Sequence, residues 1–330
     1  MLPMADLHTH PLLPMYYFHK DLGQSQRPSK FFPYTPLGTH IDIGKLKESG
    51  VRLIVCCVYA INRFPHRNCF EVAKRQIDLF EKWIAGHSET FSHAKSPSEI
   101  ESIVGSGKIA ALLALEGGHH LDQKLENLDY FKRAGVLYIT LTHFLNTPIA
   151  ESSLFADFSP GPGLRRFGRQ LVEAMDRAGV VVDIAHCSEQ AFWEVMACSK
   201  NAPIYSHGGA RALCDHHRNL SDEQARAIVK KGGLIGLILY PRYLRKGALW
   251  GKMEDVIRHL DHWLGLVGSD FLSIGSDMNG VMVVREIGDY AGMPRLQEAI
   301  VKAFGETTAR KILFDNAIMY LKHHWKGVSS

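Results

Sequence analysis

Six apolar segments of the chain end in side chains that bind metals or transfer protons. Histidine occurs 18 times, and imidazole is the commonest nitrogen ligand for metals in proteins. Burying so many polar groups without partners would be costly, so the pattern predicts a metal centre or an unusually polar pocket. The side chains at these segment ends are His8, His10, Glu116, His143, His186, His207 and Asp277.

The types of these side chains indicate which metal would bind. Four imidazoles and one carboxylate suit Zn²⁺ or a similar ion, whereas Mg²⁺ and Ca²⁺ prefer oxygen ligands. Five ligands exceed the shell of one open catalytic zinc and fit two ions that share Glu116 as a bridge, with a hydroxide between them. Such a pair lowers the pKa of water and polarises a carbonyl group. The predicted ligands are His8, His10, Glu116, His186 and His207.

The remaining residues of the set are predicted to assist catalysis beside the Glu116 bridge. Asp277 is predicted to transfer a proton, and His143 to stabilise an oxyanion. Ser206, next to His207, is not predicted to be a nucleophile. Adjacent strand residues face opposite sides, and no nucleophile elbow surrounds this serine.

The elements that must position these residues are short apolar strands alternating with amphipathic helices. This order is typical of a parallel sheet covered on both faces. Eight units favour an α/β fold with a single (β/α)₈ barrel, in which the strand ends meet at one mouth. No GxGxxG motif follows the first strand, which disfavours an open dinucleotide-binding sheet. The predicted strands are 4–10, 51–60, 108–116, 136–143, 180–186, 203–207, 233–240 and 271–277, and helices are predicted over 70–85, 164–178, 189–199, 222–231 and 253–267.

Residues 1–330 are predicted to form one domain, because no repeat, low-complexity tract or linker interrupts the chain. Two connections, 11–45 and 144–163, are unusually long for such a barrel. Long loops after barrel strands usually build the pocket. The first of them contains six aromatic residues, which fits a pocket better than a disordered insertion.

Composition narrows the class of protein. Lys and Arg number 38 and Asp and Glu 34, a net charge of +4, without the basic stripe of a nucleic-acid binder. The longest apolar stretch, 53–61, is about half a membrane span. The absence of a signal-peptide pattern predicts a cytoplasmic protein without a membrane anchor. The six cysteines contain no Cys-x-x-Cys pair and are predicted to be free thiols.

Four motifs resemble those of the membrane dipeptidase (renal dipeptidase) family of metallopeptidases, a branch of the amidohydrolase superfamily. They are LEGG at 115–118, LTH at 141–143 with NTP at 146–148, DIAHCS at 183–188, and SH at 206–207 leading to RN at 218–219. The steps of 21 residues from His186 to His207 and of 11 to Arg218 are those of the family. The likeness extends over roughly residues 5 to 322.

The resemblance implies an amidohydrolase-type barrel that holds two zinc ions. His8 and His10 would bind one ion, and His186 and His207 would bind the second. Glu116 would bind both ions. Arg218 would hold the substrate carboxylate with help from Tyr243. His143, which stabilises the oxyanion, and Asp277, which transfers the proton, would also contact the substrate. The implied reaction is hydrolysis of the peptide bond of small dipeptides with a free carboxylate, through attack of the metal-bridging hydroxide.

Two positions depart from the family pattern. His10 stands where the family usually has Asp, and Asn279 replaces an acid. A neutral imidazole in place of a carboxylate makes the net charge of the metal centre one unit more positive. Because this charge affects which substrate binds, the exact substrate stays open. The alternative is another binuclear-metal amidohydrolase that acts on a small amide or lactone. A non-catalytic binding barrel is disfavoured because neither a metal ligand nor Asp277 is missing. Whether the protein forms a homodimer stays open.

Overall fold

The computed structural model describes residues 1–26, 39–61, 68–156 and 161–328 of the protein. Within these ranges the chain forms nine β-strands, all paired in parallel. The strands are β1 Met4–Thr9, β2 Val51–Val58, β3 Phe91–His93, β4 Ile109–Glu116, β5 Val136–Thr140, β6 Val181–Asp183, β7 Ile204–Gly208, β8 Leu234–Leu237 and β9 Leu272–Ile274.

Eight of these strands close into a barrel in the order β1-β2-β4-β5-β6-β7-β8-β9, with β9 pairing back onto β1. This confirms the predicted (β/α)₈ fold and the positions of all eight predicted strands. The additional strand, β3, pairs only with the first residues of β4. The sequence analysis missed β3, because its three residues are too few for a periodic pattern.

Helices follow the strands on the outside of the barrel, and the five predicted helices are found within two residues of their expected ends. None of the described helices is long and apolar enough to span a membrane. The helices are α1 Leu12–Phe18, α2 Ile43–Glu48, α3 Cys69–Gly86, α4 Pro97–Gly105, α5 Asn127–Arg133, α6 Ser153–Ala156, α7 Arg166–Ala178, α8 Glu189–Cys198, α9 Asp222–Lys230, α10 Pro241–Leu244, α11 Met253–Val267, α12 Met293–Arg310 and α13 Asn316–His324, with 3₁₀ turns at Gly118–Leu121 and Tyr290–Gly292 and a π-helical turn at Lys311–Asp315.

Two apolar clusters fill the fold, one inside the barrel and one between the strands and the helices. Strand β2 supplies both in alternation, so that Cys57 lies in the inner cluster and Cys56 in the outer one. All six cysteines are free, as predicted. Tyr320 and Trp325 join the inner cluster and, through the Tyr320 hydroxyl bonded to Ala202 O, close one end of the barrel. The mouth at the strand C-termini is left for polar side chains.

The two long connections that were predicted to form the pocket are described in part. Residues 27–38 and 157–160 lie outside the described ranges, and with them three of the aromatic residues of the first connection, Phe31, Phe32 and Tyr34. In the described parts, Leu13 of the first connection and Phe144 of the second line the cavity at the barrel mouth. The described parts of both connections thus reach the cavity, while their role in forming a substrate pocket stays a prediction.

Candidate metal centre and active site

The seven predicted metal-binding and proton-transferring residues meet at the barrel mouth, because each lies within three residues of the end of its strand. Glu116 is the last residue of β4, and His207 lies in β7. His143, His186 and Asp277 each follow a strand end by three residues. All of them are buried, with at most 7% of their surface exposed. The structure thus brings the set together, while the role of each member stays a prediction.

The carboxylate of Glu116 lies at the centre of the cluster. Its Oε1 is 3.3 Å from His8 Nε2, 3.2 Å from His186 Nε2 and 3.6 Å from His207 Nε2. Its Oε2 is 3.4 Å from His10 Nε2. The Nε2 atoms of His8 and His10 are 3.2 Å apart, and those of His186 and His207 are 3.0 Å apart. Two imidazole pairs therefore face one shared carboxylate.

The tautomer of His8 can be inferred from its partner on the other ring nitrogen. The hydroxyl of Tyr138 donates to Leu7 O at 2.9 Å and lies 2.8 Å from His8 Nδ1. Since its one hydrogen is already used, this hydroxyl accepts the bond from His8 Nδ1–H. The lone pair of His8 then lies on Nε2, which faces Glu116.

His207 is oriented in the same way by a different pair. Ser206 Oγ donates to Asp183 Oδ2 at 2.7 Å, so it accepts from His207 Nδ1, 2.8 Å away. Asp183 is buried and also accepts from Thr140 Oγ1 and from the amides of Ala185 and Ser206. Hydrogen bonds of this kind on the far nitrogen are typical of metal-binding histidines.

The charges in the cluster suit a cation. Burial alone would raise the pKa of Glu116, but the nearby His143, His10 and His8 hold it well below its usual range, so the group is a carboxylate. Burial lowers the pKa of His186 and His207 well below the usual value, which keeps both imidazoles neutral. Burial also acts to lower the pKa of His10, but the carboxylates of Glu116 and Asp277 raise it above its usual value, so a metal there competes with a proton. Neutral imidazoles and a carboxylate are the protonation states that metal binding requires. The donors therefore fit a divalent metal, with several subsets close enough to share an ion.

Asp277 also contacts the cluster, with its Oδ1 3.2 Å from His10 Nε2. Both Asp277 (φ 59°) and His186 (φ 66°) have left-handed backbone conformations, which cost energy for residues other than glycine. Gly280 allows this arrangement, because a Cβ there would collide with Asp277 Oδ1 and lie 2.6 Å from His10 Cδ2. Two of the predicted functional side chains thus project from strained backbone.

A cavity of about 110 Å³ opens beside these groups. Arg218 and Tyr243 contribute to its wall. The guanidinium of Arg218 is buried, donates to Tyr205 Oη at 3.1 Å and to His207 O at 3.1 Å, and lies 5.6 Å from the ring of Tyr243. Its buried Nε has no hydrogen-bond partner among the described residues. This leaves a positive group with donor capacity next to the metal centre.

The sequence analysis did not identify Tyr59, Tyr138 or Phe144 as site residues. Tyr59 directly follows the end of β2, and Phe144 directly follows the predicted site residue His143. These positions in the sequence could have identified both as candidates for the cavity wall. Tyr138 offers no such signal, because it lies inside β5. Asn279 is the second position that departs from the family pattern. Its side-chain Oδ1 accepts from the backbone N–H of His40, and its backbone N–H donates to His40 Nδ1. These two bonds connect the loop after β9 to the first long connection.

The family model of the membrane dipeptidases (peptidase family M19) matches residues 2–324 of the chain. The chain belongs to the membrane dipeptidase family. Membership in this family and the clustered donors together indicate divalent-metal binding. The resemblance inferred from the four motifs is confirmed.

Individual relatives agree with membership in the membrane dipeptidase family. Dipeptidase 3 of Macaca fascicularis is 32% identical over 255 residues, which cover 75% of this chain and 51% of that protein. Dipeptidase tcpJ of Claviceps purpurea is 29% identical, covering 90% and 72%. The chain spans about half the length of the Dipeptidase 3 relatives it matches.

The fold is similar to that of a metallo peptidase from Rhodobacter sphaeroides solved with a phosphinate mimic of the dipeptide L-Ala-D-Ala. The TM-score is 0.86 at 23% identity, and the likeness covers 98% of this chain and 99% of the other. At 23% sequence identity, this comparison shows that the two proteins share a fold.

We expect Tyr138→Phe to weaken metal binding by roughly 10- to 100-fold, because His8 loses the acceptor that fixes its tautomer. The change removes only one oxygen from the inner cluster. Zinc affinity measured by competition with a chromophoric chelator would test this, with Tyr320→Phe, a buried hydroxyl at the closed end of the barrel, as the matched control. Equal affinities for the Tyr138 variant and the native protein would contradict the inferred tautomer.

Proposed function

We propose that the protein is a zinc-dependent dipeptidase that hydrolyses the peptide bond of small dipeptides with a free carboxylate. One observation carries the proposal. The Nε2 atoms of the four predicted histidine ligands surround the carboxylate of Glu116, which lines a cavity that also contains Arg218. A metal centre beside an anion-binding group suits a substrate in which a peptide bond is close to a carboxylate.

The donors would hold two zinc ions, with His8 and His10 on one, His186 and His207 on the other, and Glu116 on both. The short distances within each histidine pair, and from each pair to Glu116, support this grouping. When bound, such ions polarise a carbonyl group and lower the pKa of water.

His143 would stabilise negative charge during the reaction, and Asp277 would transfer a proton. Burial lowers the pKa of His143 to about 4, so its imidazole is neutral at neutral pH and can donate one N–H. His143 Nε2, 3.5 Å from Glu116 Oε1, would donate to the scissile carbonyl oxygen as negative charge develops there. Asp277 Oδ1 would accept a proton from the attacking water and return it to the leaving amine.

Arg218 would bind the carboxylate of the substrate and thereby fix the distance from that end to the peptide bond. Its buried position and its free Nε support this role, because a desolvated guanidinium binds a planar carboxylate strongly. The Tyr243 ring packs against the same guanidinium and would assist from the side.

We expect two divalent ions per chain after reconstitution with zinc, because five ligands exceed one tetrahedral shell. Elemental analysis of the gel-filtered protein would measure the ratio, with a parallel screen for hydrolysis of dipeptides, small amides and lactones. One ion or none per chain would contradict the paired centre. Turnover of amides or lactones but not dipeptides would favour the other amidohydrolase reaction.

Arg218→Met is expected to lower kcat/KM for a free dipeptide by roughly 10- to 150-fold. A hydrogen bond to a charged group contributes about 1.5–3 kcal/mol, and each 1.4 kcal/mol is a factor of ten. Turnover of the corresponding dipeptide amide should barely change, since that substrate offers no carboxylate.

The matched control for this change is Arg211→Met, which removes an arginine that pairs with Glu189 outside the cavity. This control should leave both substrates unaffected. Zinc content and Tm should be measured for both variants, because Arg218 also bonds to the fold. Equal losses on the acid and the amide would contradict the carboxylate-binding role.

A further inference from the structure

Three partly exposed apolar or aromatic side chains lie on the wall of the active-site cavity. They are Leu13, Tyr59 and Phe144, of which Phe144 is 43% exposed. The Phe144 ring lies 3.9 Å from the His143 ring, and the Tyr59 ring lies 4.9 Å from the same imidazole. Apolar surface exposed inside a polar cavity is typical of ligand contact.

The order of strands gives the position of this wall relative to Arg218. Tyr59 directly follows β2, and Arg218 lies in the loop after β7 with a guanidinium NH2 bonded to His207 O. In the ring of eight strands, three strands lie between β2 and β7 in either direction. Tyr59 and Arg218 therefore lie on opposite sides of the barrel mouth, with the carboxylate of Glu116 between them.

We propose that Leu13, Tyr59 and Phe144 form the pocket for the side chain of the substrate's N-terminal residue and select apolar side chains there. This inference rests on the proposed dipeptidase function. A dipeptide whose carboxylate is bound at Arg218 and whose peptide bond lies at Glu116 extends its N-terminal residue toward the β2 side. The side chain of that residue then meets Tyr59, between Leu13 from the β1 loop and Phe144 from the β5 loop.

The test compares two series of dipeptides with the zinc-loaded enzyme. Leu-Ala against Gly-Ala varies the N-terminal residue, and Ala-Leu against Ala-Gly varies the C-terminal one. The native enzyme should prefer Leu-Ala over Gly-Ala in kcat/KM by roughly 10- to 100-fold, the gain expected from burying a leucine side chain. The relevant readout is the ratio within each series, because a general loss of activity cancels from it.

Phe144→Ala and Tyr59→Ala should each lower the N-terminal ratio at least about threefold and leave the C-terminal ratio unchanged. Phe144 is exposed, so its truncation should not disturb folding, and Tyr59→Phe should preserve the N-terminal ratio because the ring remains. Trp193→Ala, a partly exposed aromatic residue on α8 outside the cavity, is the control and should change neither ratio.

Two results would overturn the proposal, and they are distinguishable. Hydrolysis of dipeptides with no N-terminal preference, or with an N-terminal ratio that neither alanine variant changes, would overturn the pocket assignment alone. A zinc-loaded native enzyme that hydrolyses none of the four dipeptides would overturn the proposed function and the pocket together.

Discussion

Asp277→Asn is expected to lower kcat by roughly 10²- to 10⁴-fold, the usual contribution of a positioned acid–base group. The amide keeps the shape of the carboxylate but cannot accept the proton from water and return it to the leaving amine. Asp277 Oδ1 lies 3.2 Å from His10 Nε2 and within 4.8 Å of a ligand atom of His8. Because asparagine keeps an oxygen at this position, both zinc ions should stay bound. Steady-state kinetics on a dipeptide, together with elemental analysis of the same sample, would measure both quantities.

A suitable control for this substitution is Asp222→Asn. Asp222 is a partly exposed residue at the start of α9 that pairs with His262 at 2.8 Å, away from the cavity. It should leave kcat unchanged. Near-normal kcat for the Asp277 variant with full metal content would show that another group transfers the proton, and loss of metal would show that Asp277 acts mainly on the centre itself.

Glu116→Gln should have the largest effect on metal content. The substitution removes the negative charge that faces five histidine Nε2 atoms, those of the four predicted ligands and of His143. It also replaces one oxygen by an NH₂ group, which cannot bind a metal. Removing one partner of a buried charge interaction costs about 3–5 kcal/mol, or roughly 10²- to 10⁴-fold in affinity. Zinc affinity and dipeptide turnover should both fall.

The same measurement on Glu151→Gln provides the control. Glu151 is also a buried carboxylate but accepts from a backbone amide in the loop after β5, outside the cavity. Its replacement should leave two ions bound. If the Glu116 variant also retained two ions at native affinity, a bridge through this residue would be wrong, although the histidine pairs could still each bind an ion.

The barrel could be predicted from the sequence because each strand carries its own signal. Continuous apolar runs such as 108–116 and 51–60 are buried on both faces, and the helices between them have an apolar stripe, so both patterns depend on neighbours along the chain. The short β3 strand lacks such a signal, since its place is decided by pairing with Ile109–Ala111 of β4.

The candidate ligands could be selected for the same reason. In a parallel barrel all strand C-termini lie at one mouth, so a polar residue at a strand end can be assigned to the site without knowledge of its contacts. This argument identified Glu116, His186 and His207 from their positions alone. It could not rank Tyr59 or Phe144, whose relevance depends on which loops face Arg218 across the mouth.

Alternation along single strands was a weaker guide near the site. Strict alternation would put Asp6 on the same face as His8 and His10. The pairing of β1 with β2 shifts between Asp6 and Thr9, so Asp6 bonds to Tyr290 in the outer layer while His8 contacts Tyr138 inside the barrel.

The expectation that Ser206 and His207 face opposite sides was also wrong, because Ser206 Oγ lies 2.8 Å from His207 Nδ1. The pairing of β7 with β8 shifts at the same point, between Tyr205 and Gly208. Ser206 is therefore a partner of a predicted ligand, and its hydroxyl also donates to Asp183.

The sequence by itself determined the barrel, the family and the set of candidate donors, because strand-end positions and motif spacings are local properties of the chain. Only the tertiary structure decided which nitrogen of each histidine faces Glu116. That choice depends on contacts such as Tyr138 with His8, 130 residues apart, which exist only once the barrel has closed in one register. A shift of one residue turns a side chain to the other face, so the orientation of each donor follows from the pairing of distant strands.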